Sequence, residues 1–234
     1  MTDCSFTSTS SSTITVVTNE DKQQRAIDEL FRAEPVFTKV VQLHGPPPLW
    51  QRPEGFATLI RIILEQQVSL ASAKAAYDRL LAACSELTPM RFLKFTDQEL
   101  KTIGFSRQKT RYGRHLALAI TEKDEGGLDL AGLRRLDDEQ VREQLTKVKG
   151  IGVWTANIYL LMAMQRPDVW PRGDIALAAA YQQLAGLDAR PGNDEMELIS
   201  SRWQPWRSVA ARLLWHYYLS ERAVPGGTIN SDSL

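Results

Sequence analysis

The spacing of apolar residues along the chain predicts helices almost throughout. From Asp21 onward apolar residues recur at helical spacing, and segments that alternate between apolar and polar residues, as strands do, are nearly absent. Pro47, Pro48 and the sequence RPEG break this pattern, so we expect a loop from Gly45 to Gly55. The fold is therefore predicted to be all-α, with about ten helices.

Several residues mark where individual helices begin and end. Pro89 and Thr96-Asp97 are typical of helix starts, and Gly104 is typical of a helix end. The polar sequence EQQVS interrupts the apolar segment FATLIRIILEQQVSLASAKAAYDRLLAAC, which indicates two helices that meet at a corner. The segment WQPWRSVAARLLWHYYL is predicted to be the last long helix.

The first 22 residues are rich in serine and threonine and are predicted to form a flexible tail. Within this tail, Thr13–Val17 is compatible with a short strand or an ordered arm. No basic region precedes an apolar core, so we do not expect a secretory signal. No apolar run reaches the roughly 18 residues that a membrane helix requires, so no membrane partner is expected.

Composition narrows the possible functions. Lysine plus arginine and aspartate plus glutamate both number 28, so nucleic-acid binding would have to depend on local basic patches. Cys4 and Cys84 are too few for a four-thiolate cluster or a cysteine-rich zinc site within one chain. A disulfide framework is not expected, and a reducing compartment fits best.

The sequence VKGIG is the clearest candidate for ligand binding. Gly150 and Gly152 flank Ile151, and glycines allow positive φ and leave the backbone open to close approach. A helix predicted from Val153 would point unpaired amides outward, which suits a phosphate. The glycines alone favour an ordinary tight connection between two helices, and this alternative stays open.

The wider sequence resembles a known superfamily. The stretch LTKVKGIGVWTA resembles the helix-hairpin-helix DNA-binding motif. The step from Trp154 to Asp174, through DVWPRGD, resembles the glycine- and proline-rich loop and the catalytic aspartate of the helix-hairpin-helix DNA glycosylases. Three further segments resemble the alkylated-base branch of that superfamily, the branch of AlkA and yeast 3-methyladenine glycosylase: ILEQQVSLASAKAA, GFSRQKTRYGRHLA and WQPWRSVAARLLW.

The resemblance implies a two-lobed helix-hairpin-helix glycosylase fold without the N-terminal β domain of some members. After the tail of residues 1–22, the glycosylase domain would span 23–234, with one lobe from residues 23–54 and 167–234 and the other from 55–166. The resemblance also implies a monomer that binds double-stranded DNA containing damaged bases. Such a protein would lie in the cytoplasm and nucleoid of a bacterium, or in the nucleus of a eukaryote.

The implied reaction is hydrolysis of the N-glycosidic bond of alkylated bases, of the 3-methyladenine and 7-methylguanine type, after base flipping. Asp174 would stabilise the positive charge that develops on the sugar, although an ordinary helix cap is the alternative. The other acids nearby, Asp168 and Glu65, are expected to be structural. Bifunctional members carry a lysine nucleophile where this chain has Trp154, so no lyase step is expected.

The resemblance assigns Trp154, Trp215 and Ile158 to the base pocket, where an electron-rich aromatic wall attracts a cationic base. Core packing is the alternative for both tryptophans. Relatives often carry an aromatic residue where this chain has Ile158, and this departure leaves the range of accepted bases open. Trp50 and Phe56 are further candidates for a pocket wall.

The expected DNA contacts surround the hairpin. Gln67 is the expected wedge that fills the gap left by the flipped base, with Gln66 beside it, although both could instead cap helices. Lys109 and Arg111 would meet phosphates or form a solvated face. The full set of expected DNA-binding residues is Gln66, Gln67, Ser69, Lys109, Lys147, Lys149, Gly150, Ile151 and Gly152.

One ion is a candidate ligand of the hairpin. The resemblance implies that the backbone carbonyls of Thr146, Val148 and Ile151 hold Na⁺ or K⁺, and no other cofactor is expected.

Two rival functions stay open. The chain could be a non-catalytic helix-hairpin-helix module that only binds DNA, or a glycosylase for another kind of damaged base.

Overall fold

The structure, a computed structural model, describes residues 19–122 and 127–222. This part of the chain forms twelve α-helices and one 3-10 helix and contains no strand, which confirms the all-α prediction but exceeds the expected number of helices. The predicted arm at Thr13–Val17 lies outside the described residues. The α-helices are α1 (Asn19–Ala33), α2 (Val36–His44), α3 (Phe56–Glu65), α4 (Leu70–Ala82), α5 (Pro89–Lys94), α6 (Asp97–Ile103), α7 (Arg107–Thr121), α8 (Asp138–Thr146), α9 (Val153–Met162), α10 (Ile175–Ala185), α11 (Asn193–Ser201) and α12 (Arg207–Ser220), and the 3-10 helix is Gly132–Arg135.

The predicted helix boundaries in the middle of the chain follow from their capping residues. The Thr88 side chain caps α5, and Pro89 occupies its first turn, where no intrahelical N–H bond is lost. The Thr96 hydroxyl accepts a hydrogen bond from the Glu99 N–H (3.2 Å), and the Glu99 carboxylate accepts one from the Thr96 N–H (2.7 Å). Gly104 ends α6 with φ +118°, which favours glycine.

Two predicted boundaries were wrong. Helix α1 begins at Asn19, inside the stretch assigned to the flexible tail, since the acidic start NED suits the N-terminal turn of a helix. Helix α12 begins only at Arg207, so Trp203–Trp206 precede it. Pro205 disfavours a helical conformation for the residue before it, which explains the later start.

The corner predicted from EQQVS lies between α3 and α4. Gln66 leaves α3 in an extended conformation, and Gln67 adopts φ +56°. The Ser69 side chain then caps α4 by accepting a hydrogen bond from the Ser72 N–H (3.2 Å). The polar residues of this corner therefore turn the chain between two apolar helices.

The helix contacts fall into two groups. Helix α12 packs against α1, α2 and α10, while α3 packs against α4, α7 and α9, and α5 and α8 join this second group through α7 and α9. Within the described ranges, no helix combines the length and the apolar character that crossing a membrane requires. The connection between α8 and α9 is the predicted hairpin, and the loop before α10 brings Asp174 beside it.

Candidate active site

A cleft of about 710 Å³ opens between the α3–α4 corner and the hairpin. This volume lies within the range of about 300–1,000 Å³ that is common for ligand sites. The lining residues come from four places: Glu65–Gln67 at the corner, Gln108, Lys109 and Tyr112 on α7, Gly150–Gly152 with Trp154 and Thr155 at the hairpin and α9, and Gly173–Ile175 before α10.

The two hairpin glycines have different roles. Gly150 has φ +103°, and a Cβ added to it would lie 2.2 Å from Cγ of Tyr112, so no larger residue fits without displacing that ring. Gly152 has φ −93° and precedes α9, and an added Cβ would meet nothing within 4 Å. Of the two glycines, Gly150 therefore adopts the positive φ that glycine allows, and Gly152 does not. Ile151 is buried beneath the turn, and its N–H donates to the Val148 carbonyl (3.0 Å).

Asp174 is the N-cap of α10 and also contacts the tryptophan of the hairpin helix. Its Oδ1 accepts hydrogen bonds from the N–H groups of Ala176 (3.0 Å) and Leu177 (3.2 Å). Its Oδ2 accepts one from Nε1–H of Trp154 (3.2 Å). Burial raises the pKa of the Asp174 carboxyl, opposed by hydrogen bonds from Trp154, Leu177, Trp215 and Ala176 that lower it. The carboxylate therefore lines the cleft in a fixed orientation.

The residues predicted to form the base pocket differ in their exposure. Trp154 lines the cleft and is half-buried. Trp215 is buried, but its side chain hydrogen-bonds to Asp174, whereas Ile158 is buried in the core. Trp50 and Phe56 are also core residues. These four residues face the interior because their helices or loops are enclosed by neighbouring elements.

The predicted wedge residues lie at the edge of the cleft. Gln67 is exposed and has φ +56°, whereas Gln66 is held in place. The Gln66 amide donates to the Gly150 carbonyl (3.1 Å) and to the hydroxyl of Thr155 (2.9 Å). Gln66 therefore ties the corner to the hairpin. Ser69 caps α4 and does not line the cleft.

The candidate cationic contacts differ in their surroundings. Lys109 donates to the Leu64 carbonyl (2.6 Å), and burial lowers the pKa of its ammonium group. Lys109 therefore stabilises the end of α3 from within the cleft. Lys147, Lys149 and Arg111 are exposed outside the cleft.

The two acids expected to be structural are held by arginines. Both carboxylate oxygens of Glu65 accept hydrogen bonds from Arg52 (2.7 and 3.0 Å). Asp168 accepts hydrogen bonds from the Arg207 guanidinium (2.8 and 3.0 Å), which braces the loop before α10 against α12.

Four side chains that line the cleft, besides the glycine Gly173, were not identified from the sequence. Thr155 accepts the Gln66 hydrogen bond, and Ile175 is 65% exposed at the rim beside Asp174. Gln108 and Tyr112 stand four residues apart on α7, and the Gln108 amide donates to the Tyr112 hydroxyl (2.6 Å). The spacing of this pair was a signal for one helix face, but nothing in the sequence placed that face at the hairpin.

The fold and this cleft belong to a known class of protein. Residues 60–206 match the HhH-GPD superfamily of base excision DNA repair proteins, and the chain belongs to that superfamily. The matched range includes the corner, the hairpin and Asp174.

Relatives with assigned names come from bacteria and fungi. The putative DNA-3-methyladenine glycosylase YfjP of Bacillus subtilis is 28% identical, over 84% of this chain and 69% of its own length. DNA-3-methyladenine glycosylase 1 of Schizosaccharomyces pombe is 27% identical, over 86% of this chain and 88% of its own length.

Solved structures share the fold. The DNA-3-methyladenine glycosidase of Bacillus halodurans aligns with a TM-score of 0.66 at 27% identity, covering 86% of this chain and 91% of its own. The S. pombe 3-methyladenine DNA glycosylase Mag1, in complex with abasic DNA, aligns with a TM-score of 0.71 at 24% identity, covering 86% and 97%.

Proposed function

We propose that this protein is a DNA glycosylase that removes alkylated bases from double-stranded DNA by hydrolysis. The observation that carries the proposal is the Asp174 carboxylate, which lines the same cleft as the hairpin and contacts Trp154 through Oδ2. The relatives named as 3-methyladenine glycosylases support this substrate class, since an N-alkylated purine of the 3-methyladenine or 7-methylguanine type is cationic and leaves readily.

The reaction breaks the bond between C1′ of the deoxyribose and a ring nitrogen of the base. The electron pair leaves with the cationic base, which departs neutral, and positive charge develops on the sugar. The Asp174 carboxylate stabilises this charge electrostatically. A water molecule then adds to C1′ and loses its proton to Asp174, a role that a carboxyl of raised pKa suits.

Access to C1′ requires the damaged nucleotide to leave the helix. In this proposal, the N–H groups at the start of α9, next to Gly152, hold a backbone phosphate beside the lesion. Gln67, exposed at the corner, enters the space that the base vacates. Lys147 and Lys149 add positive charge on the outer side of the hairpin.

The enzyme is monofunctional in this proposal. Trp154 occupies the position of the lysine nucleophile in bifunctional members, and the amine of Lys109 is engaged with the Leu64 carbonyl. The product is therefore expected to be an intact strand with an abasic site, which breaks only after alkali treatment. Borohydride trapping tests this point, since a covalent protein–DNA adduct would reveal an amine nucleophile.

A monovalent cation at the hairpin is part of the same proposal. Thr146 is the last residue of α8, so its carbonyl lies at the negative end of a helix, and the carbonyls of Val148 and Ile151 are neutral oxygen donors of the kind that Na⁺ or K⁺ accepts. Such an ion would supply positive charge near the bound phosphate.

We also propose that the protein acts as a monomer. It would act where the chromosomal DNA lies, which is the cytoplasm and nucleoid of a bacterium or the nucleus of a eukaryote.

The decisive experiment is a panel of duplexes, each with one defined lesion, scored for release of free base. Release of 3-methyladenine or 7-methylguanine supports the proposal. Release only of an oxidised or mismatched base would assign the protein to another specificity. Tight DNA binding without release from any duplex would favour the non-catalytic module.

A further inference from the structure

One buried amide on α9, that of Asn157, takes no direct part in the proposed reaction. Its side chain is 3% exposed and does not line the cleft, and every residue from Thr155 to Met162 is buried. A buried polar group is costly unless it is hydrogen-bonded. Asn157 has two partners: its Nδ2–H donates to the Trp170 carbonyl (2.9 Å), and its Oδ1 accepts from Nε–H of Arg142 (2.7 Å). Because an arginine can only donate, these contacts fix which end of the amide faces Trp170.

Trp170 is the first residue of the short turn that ends at Asp174. Its carbonyl also accepts a hydrogen bond from the Arg172 N–H (2.9 Å), and the Asp174 N–H donates to the Pro171 carbonyl (3.1 Å). Gly173 completes the turn with φ +86°, a conformation that favours glycine. The turn is therefore closed by its own backbone, and the Asn157 bond attaches its first residue to α9.

Helix α9 contacts both ends of this turn from two residues that are three positions apart. Asn157 donates to the carbonyl of Trp170 at the start of the turn, and Trp154 donates to Oδ2 of Asp174 (3.2 Å) at its end. Residues with this spacing lie on the same face of a helix. The Trp154 bond orients the carboxylate, and the Asn157 bond holds the backbone that carries it.

We propose that Asn157 is a positioning residue that holds the Asp174 turn against α9 and so sets the position of the carboxylate relative to the deoxyribose. This inference rests on the proposed glycosylase function and adds a residue outside the cleft. Because Asn157 does not line the cleft, it acts on the reaction only through the turn. A displacement of about 1 Å in the reacting geometry can slow a reaction about a hundred-fold, so such a contact has a measurable effect.

Two substitutions of Asn157 test this role. Asn157→Asp keeps the shape and the Arg142 contact but places an oxygen, in place of the donor, against the Trp170 carbonyl. Asn157→Leu removes both hydrogen bonds without adding a charge. Each is expected to lower the single-turnover rate constant for release of 7-methylguanine by about ten- to a hundred-fold. The affinity for a duplex with a tetrahydrofuran abasic-site analogue is expected to stay unchanged, because the hairpin and the corner are not altered.

A double-mutant cycle with Asp174→Asn separates positioning from a general loss of stability. If Asn157 acts through the carboxylate, its substitution costs little further rate in the Asp174→Asn background. Full additivity of the two losses would overturn the proposal, and so would wild-type excision by folded Asn157→Asp.

Thr58→Val is the matched control for these variants. Thr58 is also buried, and its hydroxyl donates to the Pro53 carbonyl in a different loop. Thr58→Val is therefore expected to excise at the wild-type rate. A loss of rate equal to that of the Asn157 variants would assign their effect to stability and overturn the proposal.

Amide hydrogen exchange reports on the turn without catalysis. The N–H groups of Ala176 and Leu177 donate to Oδ1 of Asp174 (3.0 and 3.2 Å), so their exchange shows whether the carboxylate stays in place. The proposal predicts faster exchange at both amides in the Asn157 variants and unchanged exchange in Thr58→Val.

The exchange measurement also separates this inference from the proposed function. If the wild-type protein releases no base from any duplex, the glycosylase proposal fails, and faster exchange in the Asn157 variants still upholds the attachment of the turn. Unchanged exchange in these variants would overturn the inference whether or not base is released. Failure of both Asn157 variants to fold would make the residue purely structural and would also overturn it.

Discussion

Replacing Asp174 with asparagine is the substitution that best separates the two roles of this side chain. The asparagine carbonyl can still accept from the N–H groups of Ala176 and Leu177, so the cap of α10 is kept. The amide nitrogen then replaces Oδ2, the atom that accepts the Trp154 hydrogen bond (3.2 Å). Two donors face each other there, and the negative charge in the cleft is lost.

The expected effect on stability is small because two contributions oppose each other. Burial raises the pKa of Asp174, so the folded protein binds this proton more tightly than the unfolded chain does. The resulting stabilisation is present at low pH and is lost as the pH rises through the folded-state pKa. At neutral pH asparagine therefore removes an unfavourable buried charge, while losing the hydrogen bonds from the Trp154 and Trp215 side chains, each worth about 1 kcal/mol. We expect the free energy of unfolding to change by about 1 kcal/mol or less.

The expected effect on catalysis is much larger. Loss of the charge that stabilises the developing positive sugar is expected to slow base excision by about two orders of magnitude or more, equivalent to about 3 kcal/mol in the barrier. Single-turnover release of 3-methyladenine and 7-methylguanine measures this rate. A lesion with a weaker bond to its sugar is expected to lose less, because it depends less on the carboxylate.

A matched control is available in the same loop. Asp168 pairs with Arg207 and does not line the cleft, so Asp168→Asn is expected to lower stability slightly and to leave excision by the folded protein unchanged. Near-normal excision by folded Asp174→Asn would refute the catalytic assignment and leave the residue as a helix cap only. Equal losses in both variants would point to disruption of the loop instead.

Two further predictions follow from the contacts of the hairpin. Trp154→Phe removes the N–H group whose hydrogen bond lowers the pKa of Asp174. The acidic limb of the pH profile of the excision rate is therefore expected to move to higher pH. A pH profile that does not move would contradict a catalytic carboxylate held by this hydrogen bond. Gly150→Ala is expected to lower the free energy of unfolding by about 1–3 kcal/mol, because Gly150 has a positive φ and contacts the Tyr112 ring. Gly152→Ala is expected to fold normally and to bind all DNA sequences more weakly. Equal unfolding temperatures for the two glycine variants would refute this distinction.

The fold was largely predictable because its boundaries depend on local chemistry. Thr96 and Gly104 determine the ends of α6 through their own hydrogen bonds and dihedral angles, and these signals are readable one residue at a time. The start of α12 was missed because Trp203 and Trp206 continue the apolar spacing of the helix across Pro205. The start of α1 was missed because its polar first turn resembles the preceding tail.

The cleft was less predictable because it depends on how buried helices are oriented. Every residue from Thr155 to Met162 in α9 and from Ser208 to His216 in α12 is buried, so apolar periodicity cannot show which face meets the cleft. Ile158 and Trp215 were assigned to the pocket by resemblance, and both side chains are buried, with Trp215 hydrogen-bonded to Asp174. Tyr112 reaches the cleft through contact with Gly150, a long-range contact that no local pattern encodes.

The parts of the proposed site are connected by a continuous set of contacts. Gln66, next to the expected wedge, binds the Gly150 carbonyl and Thr155, and Thr155 adjoins Trp154, which donates to Asp174. A displacement of the corner by DNA would therefore be transmitted to the hairpin and to the position of the carboxylate. The same hydrogen bonds therefore hold these segments together and orient the Asp174 carboxylate.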